Sequence, residues 1–567
     1  MTDPRPQGTS TPVTERVDVV VVGAGLAGLY ILYCLRKRGL SARAFEAGSD
    51  VGGTWYWNRY PGARVDVESM QYSYNFSDEL IREWTWTEKF AAQPELLRYI
   101  NHVADRFHLR RDVKFDTRVT CAVFDDDSNQ WTLQTNRGDV ATAPYCIMAT
   151  GSLSKPYQPP FPGLEDFRGH WYHTATWPHE AIDFDGKRVG IIGTGSTGIQ
   201  AIPVVAAQAQ HLTVFQRTAN YSTPSRNRPL EDEEQHTFNA RREQWQDEVR
   251  HTFTAMTGFP VPLSHRDDTP QERRERLEVR WQAGGMPQSM LATYKDINVD
   301  EEANAVIANF VRGKIRDIIK DPEVANILSP PKDLLIGSKR PPIDTDYYET
   351  FNRNNVTLVD VKTAPIECVT PSGIKTSEAQ YDLDAIIFAT GFDAMTGTLL
   401  AIDIRTRAGT TLKDCWADGP MTYLGLMVAG IPNLFMINGP GSPSVKVNMI
   451  LALEQHTDWI MQLLNHMESC GQNRVEATDK AQAAWVDHTR EVAEATLFTA
   501  ADSWYVGANV PGKRRVFMPY LGGFEKYWKF CEEIAVDGYR GFVLSHDGNT
   551  RRDTAATDKV SSAAPSQ

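Results

Sequence analysis

Two kinds of apolar run alternate along this chain. Short, unbroken β-rich runs end in glycine, and longer segments carry apolar residues at helical spacing. The first kind predicts buried parallel strands, which need apolar residues on both faces. These runs repeat. VDVVVVGAGLAG at 17–28 returns as KRVGIIGTGSTG at 187–198, and CIMATG at 146–151 returns as AIIFATG at 385–391. Two copies of one strand–turn–helix supersecondary unit, one nested inside the other, account for the echo. Between 230 and 333 the pattern changes to segments dense in Glu, Arg and Gln with helical spacing, punctuated by Pro260, Pro262, Pro270, Pro330 and Pro331. That predicts a helical insertion within the second unit. Strand-like runs resume at 356–360 and 386–390, and a helix is expected over 447–468.

The predicted fold class is therefore α/β, with two Rossmann-like dinucleotide-binding domains, the second nested in the first, plus the helical insertion. The expected boundaries are 16–154 with 389–548 for the first domain, 155–229 with 334–388 for the second, and 230–333 for the insertion. Residues 1–15 and 549–567 are polar, aperiodic and rich in Pro, Ser and Thr, and read as disordered tails. Residues 19–35 are uncharged and just long enough to span a bilayer. Their glycines sit in a fixed spacing and no basic segment precedes them, so a strand–turn–helix explains them better than a membrane helix.

Composition narrows the function. Among 567 residues, 59 Lys and Arg stand against 72 Asp and Glu, a net charge of −13, which argues against nucleic-acid binding. Seven cysteines without a C-x-x-C pair exclude a disulfide scaffold and a thiolate zinc site, and point to a reduced, cytoplasmic protein. A pyridine-nucleotide:disulfide reductase would need a redox cysteine pair, which the sequence lacks.

In Gly23-Ala24-Gly25-Leu26-Ala27-Gly28 the first glycine suits a tight turn, the second lets a pyrophosphate approach, and the third lets helix and strand pack closely. Glu46, at the end of the next strand, stands where an acid binds a ribose 2′-hydroxyl, so this site takes FAD or NAD. The second motif is Gly193-Thr194-Gly195-Ser196-Thr197-Gly198, followed by Ile199 and Gln200. At the place equivalent to Glu46 it has Arg217 and Thr218, and a guanidinium there favours a 2′-phosphate, hence NADPH. Two such sites suggest hydride passing from nicotinamide to flavin. Residues 52–66 (GGTWYWNRYPGARVD) lie where a flavin ring is expected, an aromatic wall with the Asp66 carboxylate beside it. Residues 167–178 (FRGHWYHTATWP) link the two units. His170 and His173 have metal-ligand spacing without an acidic or cysteine cluster, so no metal is expected and a hinge role fits better.

These last two segments resemble the type I Baeyer–Villiger monooxygenases. Phe167, Gly169, His173, Trp177 and Pro178 match that family's linker signature; Gly52, Gly53, Trp55, Tyr60, Pro61, Gly62 and Asp66 match its second. The likeness spans residues 16 to 545 and is greatest to the phenylacetone and steroid monooxygenase branch. It implies that NADPH reduces FAD, that O2 adds at flavin C4a, and that the resulting peroxide converts a small-molecule ketone (aryl, cyclic or bulky) to an ester or lactone. It also implies roles. Arg340 in Gly337-Ser338-Lys339-Arg340-Pro341 would stabilise the anions, oriented by Asp66. Lys339 would help Arg217 and Thr218 grip the 2′-phosphate. Thr54, Trp55, Tyr56, Trp57, Asp66, Tyr72, the Val119 backbone and Met449 would line the FAD site. Arg64, the segment from Thr194 to Gln200, Arg340 and Trp504 would contact NADP. Ser444, Val445 and Lys446 fall in the substrate-pocket bulge. Lys446 is expected to extend to solvent, the alternative being that it narrows or polarises the pocket. A related flavin monooxygenase acting on amines or sulfides is the competing reading. No nucleic-acid or membrane partner is expected, and the oligomeric state is left open and compatible with a monomer.

Overall fold

A computed structural model describes residues 14–257, 263–286 and 288–546. Two five-stranded parallel sheets dominate it. In the first, the strands run in the order Leu434–Met436, Tyr145–Met148, Val19–Val22, Ala42–Phe45 and Val113–Lys114. The second has the order Val356–Asp360, His211–Gln216, Arg188–Ile192, Ala385–Phe388 and His170–His173. Val19, Val20 and Val21 are fully buried, as the absence of polar alternation requires. Leu434–Met436 comes from beyond the whole second unit and pairs with Tyr145–Met148, so the second unit is nested in the first.

The duplication extends to the antiparallel excursions. Strands Val119–Asp125, Gln130–Thr135 and Val140–Ala143 precede Tyr145–Met148. A smaller meander, Ile366–Thr370, Gly373–Thr376 and Gln380–Asp382, precedes Ala385–Phe388 in the same way.

The expected tail through residue 15 needs correction. Thr14–Arg16 forms a strand parallel to Val140–Ala143, and the Glu15 carboxylate accepts from Arg43 Nε and Nη2 at 2.7–2.9 Å. This strand lacks apolar alternation and is held by a distant ladder and an ion pair. The remainder of that tail, and the tail expected over 549–567, lie outside the described residues.

Both glycine-rich turns are built alike. Gly23 and Gly193 have φ of +105° and +108°, and a Cβ at either would lie 2.6 or 2.5 Å from the carbonyl oxygen of Ala149 or Ala389. A Cβ at Gly28 or Gly198 would strike the carbonyl oxygen of that same turn glycine at 2.0 or 2.1 Å, so only glycine lets helices Leu26–Arg38 and Ser196–Gln208 dock.

Among the described residues, every regular element from Asp232–Ala240 to Pro322–Leu328 is helical. Its longest helix, Glu301–Ile318, buries Ile307, Val311 and Ile315. On that face Asn304, 1% exposed, donates Nδ2 to the Ile336 carbonyl at 2.9 Å and accepts from the Ile336 N–H at 3.0 Å. It thereby pins the segment that carries Lys339 and Arg340. Asn304→Leu leaves the Ile336 N–H and carbonyl buried without partners. We expect a loss of about 1–3 kcal/mol, read as an earlier urea midpoint with unchanged slope; an unchanged midpoint would show that the pin is dispensable.

Candidate active site

One cavity of about 1250 Å³ joins the two units and is lined by both glycine-rich turns. Pockets for a single ligand are usually about 300–1,000 Å³, so this space suits more than one. No side chain caps helix Leu26–Arg38 at Gly25 or helix Ser196–Gln208 at Gly195. Their first-turn N–H groups are thus free for an anion, and a Cβ at Gly195 would meet nothing within 4 Å. The residues present fit two dinucleotides.

At the first site the buried Glu46 accepts from the N–H groups of Ala24 and Gly48, both at 2.8 Å. This fixes the carboxylate at the cavity wall with lone pairs to spare for a hydroxyl. Ala27, Thr54, Trp55, Trp57, Tyr72, Val119 and Met449 also line the cavity; Tyr56 does not. Its hydroxyl accepts from Ser49 N–H at 2.9 Å and its ring packs on Trp57 and His179.

At the second site Arg217 and Lys339 face each other closely enough that Lys339, lowered first by burial, is lowered further by Arg217. Among the described residues neither makes an ion pair with the protein. Two cations beside an exposed Thr218, with Asp502 as a counter-charge acting on Lys339, have the chemistry to hold a phosphate. Arg64 lines the cavity but commits its guanidinium to Glu88 and the Phe90 carbonyl, both at 2.8 Å. Gln200 bridges the units, accepting from Tyr60 Oη at 2.8 Å and donating to the Arg64 carbonyl at 3.1 Å. Gly62 lets this contact form, since a Cβ there would meet the Gln200 carbonyl oxygen at 2.3 Å.

Where the units meet, Arg340 binds Asp66 bidentately, with Nη2 2.8 Å from each carboxylate oxygen and Nε 3.1 Å from Oδ2. Nη1 donates to the Val445 carbonyl at 3.0 Å, and the Arg340 carbonyl accepts from Asn220 Nδ2 at 2.8 Å. Asp66 raises the guanidinium above its ordinary value, so it stays charged at any working pH. Tyr72 and Tyr505 flank the pair, and burial pushes both phenols up to about 12.

The linker residues make internal contacts. His173 Nδ1 accepts from the Ala175 N–H at 3.1 Å, so Nε2 carries the proton and donates toward the Tyr157 carbonyl at 3.2 Å. Thr390 Oγ1 lies 3.2 Å from the same nitrogen. His173 therefore ties the outgoing linker at Tyr157 to the returning one at Thr390, and burial lowers its pKa, keeping it neutral. Phe167 and Trp177 are buried in the second unit. A Cβ at Gly169 would meet the Asp384 carbonyl oxygen at 2.4 Å.

Lys446 is half-buried and does not line the cavity; its ammonium lies 3.8 Å from the Phe498 ring centre and 4.5 Å from that of Tyr505, with Arg340 as the nearby like charge. Sequence reasoning also missed a latch. Trp504 lines the cavity from a loop held down by Lys513 Nζ, 2.7 Å from Asp393 Oδ1 and 2.8 Å from the Ala394 carbonyl. Asn509 Nδ2 adds a bond to the Phe392 carbonyl at 2.6 Å. These partners lie about 120 positions apart, beyond the reach of any local pattern.

Two dinucleotide units meeting over one cavity, with a fixed guanidinium at their junction, define a flavoprotein oxidoreductase that draws hydride from a nicotinamide. Residues 16–224 match the family described as flavin-binding monooxygenase-like. Over 94% of its length the chain is 44% identical to all of an acetone monooxygenase (methyl acetate-forming) of Gordonia sp. strain TY-5. Over 93% it is 44% identical to 96% of a Baeyer–Villiger monooxygenase of Pseudooceanicola batsensis. A solved structure titled oxidized steroid monooxygenase bound to NADP superposes with a TM-score of 0.89 and 50% identity, over 94% of this chain and 100% of that one. The chain belongs to the type I Baeyer–Villiger monooxygenase family, FAD-dependent enzymes that use NADPH and O2 to convert ketones to esters or lactones. No helix among the described residues is long and apolar enough to cross a membrane.

Lys513→Ala should loosen the loop that carries Trp504 and admit water. We expect NADPH consumption to continue while ester formed per NADPH falls several-fold and hydrogen peroxide rises; unchanged coupling would show that the latch does not govern closure.

Proposed function

We propose that this chain oxygenates aryl, cyclic or otherwise bulky ketones, with Arg340 holding positive charge beside the reacting carbonyl. The observation that carries this reading is the Arg340–Asp66 pair at the junction of the units. Oxygen transfer to a carbonyl builds negative charge on the carbonyl oxygen, and a preorganised guanidinium in a water-poor site stabilises it. Asp66 and Val445 orient the group, and Tyr505 lies within hydrogen-bonding reach of it. When bound, FAD supplies the oxygen-transfer chemistry and NADPH the hydride.

Within this reading the unit of 16–154 and 389–548 holds FAD, supported by the Glu46 carboxylate on its turn. The unit of 155–229 and 334–388 holds NADPH, supported by the Arg217 and Lys339 cations. The insertion of 230–333 sets the height of Arg340 through Asn304. Seven cysteines, all unpaired, support a reducing, cytoplasmic setting.

Arg340→Ala should still allow NADPH to reduce the flavin within a few-fold of the native rate, while ester formation drops by about 10²–10³-fold. Full ester formation in that variant would remove Arg340 from the reaction. Arg217→Leu should raise the KM for NADPH by about 10–100-fold, the worth of a charge-assisted contact, and leave that for NADH within a few-fold. Equal changes for both coenzymes would show that Arg217 does not read the phosphate.

A further inference from the structure

Away from the cavity, in the helical insertion, the His265 side chain is fully buried, yet one of its ring nitrogens has no hydrogen-bond partner. Nδ1 lies 2.8 Å from Asp296 Oδ2. A carboxylate only accepts, so Nδ1 carries the proton and the neutral ring keeps its lone pair on Nε2. That lone pair faces a second acceptor, Glu302 Oε2, at 3.6 Å. The separation is too long for a hydrogen bond. Asp300 completes the group: one ligand atom from each of His265, Asp300 and Glu302 lies within 4.8 Å of the other two.

Local structure fixes most of this arrangement. His265 opens the 3₁₀ turn His265–Asp267, and its own N–H donates to Asp296 Oδ2 at 3.2 Å. Asp300 is the N-cap of helix Glu301–Ile318; its Oδ1 accepts from the N–H groups of Glu302 and Ala303 at 2.8 and 3.3 Å. Oδ2 is thereby left to face the turn. Among the described residues Arg266 is the only Lys or Arg that forms an ion pair with any of the three carboxylates, 2.8 Å from Asp300 Oδ2 and 3.7 Å from Glu302 Oε2. Its side chain is 67% exposed, so releasing it to water costs little. Two acceptors facing each other across a buried edge call for a positive centre between them. Two ligand atoms on a tetrahedral zinc stand about 3.4 Å apart, given bonds of about 2.1 Å, and the His265 and Glu302 atoms already stand 3.6 Å apart.

We propose that His265 Nε2, Asp300 Oδ2 and Glu302 Oε2 bind a divalent first-row transition metal, Zn2+ being the ion that one imidazole and two carboxylates suit, with water completing the shell. Asp296 is the positioning residue: accepting from Nδ1, it sets the tautomer and the ring orientation. A metal there joins the turn of His265–Asp267 to the first turn of the helix that carries Asn304, and so braces the end of the insertion from which Ile336 is pinned.

The test is equilibrium dialysis of the chelator-stripped, FAD-loaded enzyme against micromolar free Zn2+, with bound metal counted by atomic emission. The native chain should take up one zinc that Glu302→Gln does not. Glu302 is exposed, so that variant should keep its flavin absorbance and its urea midpoint. Asp296→Asn should weaken the affinity about 10–100-fold. Arg266→Gln, which removes the competing cation, should bind several-fold more tightly. Failure of the native chain to take up zinc would overturn the inference. So would zinc held as tightly by Glu302→Gln and Asp296→Asn as by the native chain, which would place it elsewhere, or no gain in Arg266→Gln.

Discussion

The ion pair between Asp66 and Arg340 is the contact on which the rest of the molecule depends. Its partners are 274 positions apart and come from different nucleotide units, so it forms only when both units are folded and docked. Removing one partner would leave the other charge mostly buried and unmatched, which costs about 3–5 kcal/mol in comparable cases. A lone guanidinium on a mobile segment would find solvent or another carboxylate. Held from two sides by Asp66 and from a third by Val445, it keeps one position and its charge.

The features that serve this pair lie at the joints rather than in the sheets. His173 staples the outgoing chain to the returning chain through Tyr157 and Thr390. Gly62 lets the loop before Asp66 press on the helix after the second turn, where Gln200 secures it. Asn304 anchors the segment before Arg340 from the helical insertion. Each of these is a polar or glycine position whose effect is geometric. Together they turn two copies of a nucleotide-binding unit into one cavity in which a hydride donor, a planar acceptor and a fixed positive charge can be neighbours.

Much of this was legible in the sequence because its causes are local. Apolar runs ending in glycine marked the parallel strands, and the three-glycine spacing marked the turns whose close contacts the structure displays. The opposition of Glu46 and Arg217 at equivalent strand ends could be read because each motif fixes where the next strand stops. What escaped depends on contacts made over long separations. The strand Thr14–Arg16 carries no apolar pattern and relies on Arg43. Asn304 reads as one more polar residue until the Ile336 backbone comes to meet it. Lys513 and Asp393 belong to segments whose proximity no spacing reveals. Lys446 was expected to reach water because long charged side chains usually do; it is half-buried, and its ammonium packs over the Phe498 and Tyr505 rings, a contact no sequence spacing reveals.

The account turns on a charge held in place rather than on the mere presence of an arginine. Asp66→Asn keeps the size of the side chain and its capacity to accept a hydrogen bond while removing its charge. The most direct test is the ratio of ester formed to NADPH consumed in that variant, measured alongside flavin reduction by NADPH. The ratio should fall at least about tenfold while reduction stays within a few-fold of the native rate, because the guanidinium loses its fixed position and the hydride path does not involve it. An unchanged ratio would mean that the pair is a structural clasp and that the charge acting on the substrate lies elsewhere.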